Sequence, residues 1–206
     1  MRSRKGFTLV ELLVVIGILG ALMAVLVSGF SSAPKKAERA KCEQLVKDVS
    51  SALAIAFDRR GSWPQAIIRG HNNDEGITAD IAVAIAQASD NTLSVSYENG
   101  KATGMDRLGI VSPWAQAVIK AKGTSASAST RVPSGGTIQD HRLRYAVDLD
   151  GDGIIEGANV GGEAVDIRAT AVVWCGGADG KIESYRKGQR KDDVYSWSYG
   201  QTQNVR

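Results

Sequence analysis

The sequence predicts an α+β fold in which a long N-terminal α-helix packs against a C-terminal antiparallel β-sheet. Residues 7–30 are almost continuously apolar, residues 34–60 keep a helical period, and strand-like runs begin at about residue 143. The first run is long enough for the first half of the helix to cross a membrane. The resulting division is a leader (1–6), a transmembrane helix (7–33), an amphipathic helix (34–60) and a head (61–206).

The composition fits one globular domain with one appended element. The chain has 206 residues, of which 43% are hydrophobic and 23% charged, so disordered and collagen-like classes are excluded. The net charge is +3, from 25 basic and 22 acidic residues, but Arg2, Arg4 and Lys5 all lie in the first six positions. The remaining chain is formally neutral, and we therefore expect no nucleic-acid partner.

The apolar run at residues 7–30 contains 18 apolar residues and one charge. At about 1.5 Å per residue, a helix of this length crosses a hydrocarbon core of roughly 30 Å. A secretory signal has a shorter apolar core, so removal near Ala33 is the less favoured alternative. The basic cluster before the run predicts a cytoplasmic N-terminus and an exported head.

Glu11 is unusual because it places a carboxylate inside this apolar run. Such a group costs roughly 2.5–3.5 kcal/mol near the bilayer centre and less near the interface. Either Glu11 is solvated at headgroup depth, or it pairs with a cation at matching depth on a neighbouring chain. The residues alone leave both interpretations open.

The segment from Lys5 to Glu11 resembles the processing site of the type IV pilin and type II secretion pseudopilin superfamily. A short basic leader, Gly6, Phe7, Glu11 and the apolar span follow one another in the same order. The resemblance implies cleavage after Gly6 by a prepilin peptidase and N-methylation of Phe7. It also implies that the new ammonium group of Phe7 pairs with Glu11 of a neighbouring subunit, which would set the register of a filament.

The second half of the helix has one apolar face and one charged face. The residues of the apolar face recur at spacings of three and four: Cys42, Leu45, Val46, Val49, Ala52, Leu53, Ala56 and Phe57. Gly29, Ser31-Ser32 and Pro34 predict a bend near the middle of the long helix. Gly61 and Trp63-Pro64 predict its end, and this junction resembles the one in major pseudopilins.

The head contains one clear helix, with Thr78 as its cap and Asp80 in its first turn. Strand-like runs follow at Leu143–Val147, Val165–Cys175 and Lys181–Tyr185. Residues 173–181 and 192–197 resemble the C-terminal sheet of major pseudopilins. The resemblance therefore implies a pilin-like head, but it does not extend to residues 65–110.

Four acidic residues, Asp148, Asp150, Asp152 and Glu156, occupy positions one, three, five and nine of a possible calcium loop that has Gly153 at position six. Position twelve is Asn159 rather than the bidentate Glu of an EF-hand, so we expect weak binding, with a dissociation constant of about 10⁻⁴–10⁻³ M. A solvated acidic hairpin is the alternative.

The resemblance implies another calcium site, in the loop before the last Trp, where Asp192 and Asp193 lie. Basic residues precede this pair in the same loop, so ion pairing within the loop is nearly as good an interpretation. These basic residues are Arg186, Lys187, Arg190 and Lys191.

Cys42 and Cys175 are too few for a disulfide-rich fold or a four-cysteine zinc site. In an oxidising compartment they could join the helix to the sheet as a disulfide. Both also suit apolar packing, and because disulfide geometry is strict we favour two buried thiols.

The sequence contains no catalytic motif, and we expect a protein without enzymatic activity. Gly176–Lys181 departs from a phosphate-binding loop, since Cys175 stands in place of its first Gly and Ile182 in place of Ser or Thr. His71 and His141 have no neighbouring Cys or Ser pattern, so exposed polar roles are expected for both.

The resemblance implies a structural pseudopilin of the bacterial inner membrane that polymerises into a periplasmic type II secretion filament. Its partners would be other copies, minor pseudopilins, the prepilin peptidase and the inner-membrane assembly platform. One alternative is a type IV pilus subunit for adhesion, motility or DNA uptake. The other is a single-pass, membrane-anchored domain, calcium-binding or catalytic, that never polymerises.

Overall fold

The computed structural model describes residues 8–30, 33–185, 192–198 and 201–205. The chain divides into two compact units, residues 1–38 and 39–206. The first unit contains helix α1 (Leu9–Phe30) and the start of helix α2 (Ala33–Arg60). Residues 31 and 32, at the predicted bend, lie outside the described part of the chain.

Helix α1 runs without interruption through Gly17 and Gly20, so neither glycine breaks it. A Cβ atom added at either position would meet no atom within 4 Å. Among the described residues, none of the helices has both the length and the apolar character needed to traverse a bilayer.

Helix α2 ends where the sequence predicts. Gly61 follows the last helical residue with φ +64°, a left-handed conformation that glycine adopts at little cost. The Gly61 N–H donates to the Phe57 carbonyl over 2.7 Å and closes the last turn. The ring centroids of Phe57 and Trp63 lie 4.9 Å apart, so the segment that follows α2 packs against the end of the helix.

Short elements connect α2 to the main sheets. Helix α4 (Ala79–Ala88) corresponds to the predicted helix, but Thr78 makes no side-chain cap hydrogen bond, contrary to our prediction. The remaining elements are helices α3 (Gln65–Gly70) and α5 (Pro113–Lys122), the hairpin β1 (Tyr97–Glu98) and β2 (Lys101–Ala102), and 3₁₀ turns at Gly104–Leu108 and Gly123–Ser125.

The C-terminal part forms two three-stranded antiparallel sheets. Their six strands are β3 (Arg144–Val147), β4 (Ile155–Val160), β5 (Glu163–Ile167), β6 (Ala171–Cys175), β7 (Val194–Tyr195) and β8 (Thr202–Val205). The strand orders are β3-β6-β7 and β4-β5-β8. The α+β arrangement of helix and antiparallel sheet is thus confirmed.

The β3-β6-β7 sheet is buried on both faces. Tyr145 and its cross-strand partner Val173 belong to the same core cluster as the apolar stripe of α2. Ala146 and its partner Val172 face the other way, into a second cluster with residues of β4 and β5. Every residue of β6 is therefore buried, which explains its continuously apolar sequence.

Two of the predicted strands are wrong in extent or existence. The run Val165–Cys175 is two strands in different sheets, because the chain leaves β5 after Ile167 and enters β6 at Ala171. Lys181–Tyr185 is not a strand. The Glu183 N–H there donates to the Asp193 carboxylate rather than to a neighbouring strand, and β7 takes the place beside β6.

Strand β4 is not among the predicted strands, because its first residues coincide with the end of the predicted calcium loop. Only Ile155, Ala158 and Val160 of this strand are fully buried, and the register shifts between Ile155 and Ala158. That irregularity breaks the simple alternation by which a strand is recognised in a sequence.

The buried hydroxyl of Tyr145 donates to the Ile67 carbonyl over 2.7 Å and ties β3 to α3. We expect Tyr145→Phe to lower the free energy of unfolding by about 1–2 kcal/mol, because the buried carbonyl loses its partner. Urea denaturation of both proteins measures the difference. The control is Tyr97→Phe, whose hydroxyl lies on the exposed strand β1; equal stability of all three proteins would contradict the prediction.

Candidate functional site

The start of α1 carries a reciprocal capping arrangement between Thr8 and Glu11. The Thr8 N–H and hydroxyl both donate to Glu11 Oε2 over 2.8 Å, and the Glu11 N–H donates to Thr8 Oγ1 over 3.3 Å. This Thr-x-x-Glu spacing is a capping box, which satisfies helix-start donors that lack carbonyl partners. We did not predict this capping box from the sequence, although the Thr-x-x-Glu pattern of residues 8–11 is sufficient to indicate it.

Residues 8–23, which comprise Thr8 and the first two thirds of α1, are all exposed. Leu9 is 80% exposed and Met23 65%. Burial of one such apolar side chain contributes roughly 1.5–3 kcal/mol, so an uncovered apolar surface along a whole helix indicates an interaction site. Gly6 and Phe7, the predicted processing residues, lie outside the described residues.

The acidic loop between β3 and β4 brings together three of its four predicted ligands. Carboxylate oxygens of Asp148, Asp150 and Asp152 lie within 4.8 Å of one another. Asp148 is buried, whereas Asp150 and Asp152 are exposed. Glu156, an exposed residue on strand β4, is not part of this group.

Asp148 organises the turn of this loop. Its two carboxylate oxygens accept hydrogen bonds of 2.8 Å from the Gly151 and Gly153 N–H groups. Both glycines have φ above +80°, a backbone conformation that favours glycine. The carbonyl of Asp148 accepts a hydrogen bond from the Trp63 indole and its N–H donates to Thr170, so the loop is held in place.

This donor set fits a hard cation such as Ca²⁺, which prefers carboxylate oxygens. Each carboxylate oxygen of Asp148 accepts one N–H group and keeps a second lone pair that can coordinate a cation. Asp150 and Asp152 present carboxylates at the surface, where a cation would reduce their mutual repulsion.

The alternative acidic pair is arranged differently. Asp192 accepts the Ala178 N–H over 2.9 Å. Oδ2 of the buried Asp193 accepts the Glu183 N–H and the Tyr195 hydroxyl, and its Oδ1 has no hydrogen-bond partner in the described structure. Burial raises the pKa of Asp193 to about 6 against the opposing effect of those two hydrogen bonds. The basic residues predicted to pair with this loop, Arg186, Lys187, Arg190 and Lys191, lie outside the described residues.

The two cysteines meet inside the head. Cys42 on α2 and Cys175 at the end of β6 are buried thiols with their sulfur atoms 2.8 Å apart. From the sequence we favour two buried thiols at these positions, and both side chains are buried where the helix meets the sheet.

His141 is buried, not exposed as predicted, and is fully hydrogen-bonded. Its Nδ1 lies 2.9 Å from the Ser112 hydroxyl and its Nε2 lies 2.9 Å from the Gly135 carbonyl. The carbonyl can only accept, so Nε2 carries the proton and Ser112 donates to Nδ1. His71 is half-buried and accepts the Val147 N–H at Nδ1 over 3.1 Å.

Ser112 and His141 contact each other as a catalytic nucleophile and its base would, but their surroundings indicate a structural role. Ser112 is completely buried, and the second nitrogen of His141 donates to a backbone carbonyl rather than to an orienting carboxylate. The contact therefore anchors the start of α5 to the segment before β3.

Comparison with known proteins gives a family match at the N-terminus. Residues 1–27 match the prokaryotic N-terminal methylation motif. The chain is 29% identical over 100 residues to a fimbrial protein of Neisseria meningitidis serogroup B, which covers 48% of this chain and 54% of that protein. It is 32% identical over 76 residues to the type IV major pilin protein PilE1 of Neisseria gonorrhoeae, covering 37% of this chain and 33% of that protein.

A second gonococcal type IV major pilin protein PilE1 is 34% identical over 62 residues, covering 30% of this chain and 38% of that protein. These alignments span about half or less of the length of the relatives. No solved structure matches the chain. The resemblance to the type IV pilin and pseudopilin superfamily is confirmed.

Burial lowers the pKa of His141 below its ordinary value, against the Gly135 hydrogen bond and the charge of Asp140. The unfolded chain then binds a proton more readily, so this histidine stabilises the fold above about pH 6.5 and that contribution is lost as the pH falls. We expect His141→Gln to make the free energy of unfolding less dependent on pH between about pH 7 and 5. Urea denaturation at each pH measures the slopes, and parallel slopes would contradict the prediction.

Proposed function

We propose that the chain is a pilin-like structural subunit that polymerises through its N-terminal helix. The observation that carries the proposal is the exposed apolar surface of α1, which buries no described side chain between residues 8 and 23. Neighbouring helices or lipid would cover that surface. The methylation-motif match to residues 1–27 supports the proposal independently.

The proposed processing exposes a new N-terminus at Phe7, a few residues before Glu11. In an apolar filament core an unpaired charge is costly, and an ammonium–carboxylate pair between neighbouring subunits avoids that cost. The capping box keeps the Glu11 carboxylate at the helix start, close to the segment that processing changes. Glu11 would then fix the axial register between subunits.

For the assembled system we propose a periplasmic filament of a type II secretion machine. The subunit would be stored in the bacterial inner membrane, with its N-terminus cytoplasmic and its head periplasmic, and processed by a prepilin peptidase. Its other partners would be further copies, minor pseudopilins and the inner-membrane assembly platform. The support is the pseudopilin-like pattern at the end of α2 and in the C-terminal segment.

A type IV pilus subunit is the second candidate, and the relatives named above favour it because they are type IV major pilins and a fimbrial protein. Filaments recovered by shearing cells would support the pilus. Filaments that stay in the envelope while secretion depends on the chain would support the secretion system. A membrane-anchored domain that never polymerises predicts neither result.

The role of Glu11 is tested by variants that separate its charge from its capping function. Glu11→Gln keeps an oxygen that can accept the two Thr8 hydrogen bonds but removes the charge. We expect it to reduce filament yield roughly 100-fold or more, because the partner ammonium is left unpaired in an apolar core. Sedimentation and immunoblotting measure the yield, and N-terminal peptide mass spectrometry shows whether each variant begins at methylated Phe7.

Thr8→Ala is the matched control, since it removes the capping hydroxyl and keeps the charge. The loss of such a cap costs about 1 kcal/mol, so filament yield should fall less than about tenfold. If Glu11→Gln assembles normally while Thr8→Ala fails, Glu11 acts as a helix cap and the proposed pairing is wrong.

We also propose that Asp148, Asp150 and Asp152 bind Ca²⁺. The close approach of their carboxylates supports this site, whereas the unpartnered oxygen of Asp193 supports the alternative pair with Asp192. Bound calcium would stabilise the loop that joins β3 to β4.

With a dissociation constant of about 10⁻⁴–10⁻³ M, 10 mM calcium should raise the melting temperature by about 3–10 °C. Asp150→Asn/Asp152→Asn should abolish the rise, and both positions are exposed, so the fold should survive. Thermal unfolding with and without calcium measures the change in melting temperature. Asp58→Asn, an exposed carboxylate on α2, is the control; loss of the rise in Asp193→Asn instead would assign binding to the other loop.

A further inference from the structure

Cys42 and Cys175 lie at the contact between α2 and the central strand of the β3-β6-β7 sheet. Both residues are at most 1% exposed, and their sulfur atoms are separated by 2.8 Å. Non-bonded heavy atoms normally pack about 3.5–4.0 Å apart, and a disulfide bond is about 2.05 Å long. The backbones of helix and sheet already hold the two sulfurs close to bonding distance.

A second contact shows how α2 and β6 lie side by side. The hydroxyl of Ser50, eight residues after Cys42, donates to the carbonyl of Ala171 over 3.0 Å. Ala171 lies four residues before Cys175, at the opposite end of β6. Eight helical residues and four strand residues both span about 12–14 Å, so α2 and β6 run in opposite directions with the sulfurs at one end and Ser50 at the other.

Cys42 is also the first fully buried side chain of α2 within the described residues. Its position is therefore the point at which the helix enters the core of the head.

We propose that Cys42 and Cys175 form a disulfide in the exported protein, which fastens α2 to the sheet where the helix enters the head. The inference rests on the proposed export of the head, because disulfides persist in oxidising compartments. The bond would keep the helix docked on the sheet when subunits are pushed or pulled along the filament.

The oxidant is a disulfide-bearing thiol–disulfide exchange protein of the same compartment. The thiolate of one cysteine attacks the oxidant's disulfide, which forms a mixed disulfide and releases one oxidant thiolate. The second cysteine thiolate attacks the protein sulfur of that mixed disulfide and releases the other thiolate. The chain loses two electrons and two protons, and the oxidant becomes a dithiol.

This exchange precedes docking of α2, because neither sulfur is accessible in the folded head. The hydrogen bond with Cys175 and burial raise the pKa of the Cys42 thiol, so little of the attacking thiolate forms at Cys42 in the folded head. Once formed, the bond is shielded from exchange by the same burial.

The test uses the full-length chain purified from its native membranes without reductant. Denaturation in iodoacetamide should leave both cysteines unlabelled, and reduction before labelling should add two carbamidomethyl groups. Peptide mass spectrometry should find the residues around 42 joined to those around 175. Two labelled cysteines in the unreduced, exported chain would overturn the proposal.

The same spectra separate this outcome from failure of the proposed function, because they show whether the chain begins at Phe7. If the leader is retained and the thiols are free, the chain is denatured and refolded in detergent with glutathione disulfide. Formation of the Cys42–Cys175 bond then supports the geometric inference while the proposed processing fails. Absence of the bond after refolding overturns the disulfide.

Stability provides an independent readout. Reduction of the bonded chain should lower its melting temperature by roughly 10 °C, because the bond closes a loop of more than 100 residues. Cys42→Ser/Cys175→Ser is the control and should not respond to the reductant. If complete reduction leaves the melting temperature unchanged, the bond does not fasten α2 to the sheet and that part of the proposal is wrong.

Discussion

The packing of the apolar stripe of α2 on the β3-β6-β7 sheet is the interaction on which the rest of the head depends. Residues from Cys42 to Phe57 supply one side of the main core, and Tyr145, Val173 and Cys175 supply the other. The sheet in turn presents its far face to the β4-β5-β8 sheet, so one layer stabilises both clusters. Without the helix, a fully apolar strand such as β6 would expose one face to water.

The polar groups near this core are anchored to backbone in a way that favours structural roles. The Tyr145 hydroxyl donates to the Ile67 carbonyl, the His141 ring donates to the Gly135 carbonyl, and the Asp148 carboxylate accepts the N–H groups of its own loop. Ser112 and His141 are the only described serine–histidine contact, and both are buried. Among the described residues, most of the exposed large apolar side chains belong to α1.

Several elements could be predicted because their signals are local. The apolar period of α2, the glycine that ends it and strand β3 all follow from neighbouring residues. The errors occur where contacts between residues far apart in the sequence decide which segment joins the sheet. Lys181–Tyr185 has a strand-like sequence, but Asp193 takes a backbone donor of that segment and β7 pairs with β6 instead. His141 shows the same limit, since its partner Ser112 lies 29 residues earlier in the chain.

The sequence by itself determined the processing-site pattern, the apolar helix, the amphipathic stripe and the spacing of the acidic loop. These features depend on residues close together in the chain, where periodicity and spacing decide the outcome. Only the tertiary structure decided that Glu156 leaves the acidic cluster, that the C-terminal strands form two sheets, and that Cys42 meets Cys175. Such outcomes depend on which buried surfaces and backbone donors meet across the fold, and local residue patterns do not encode that choice.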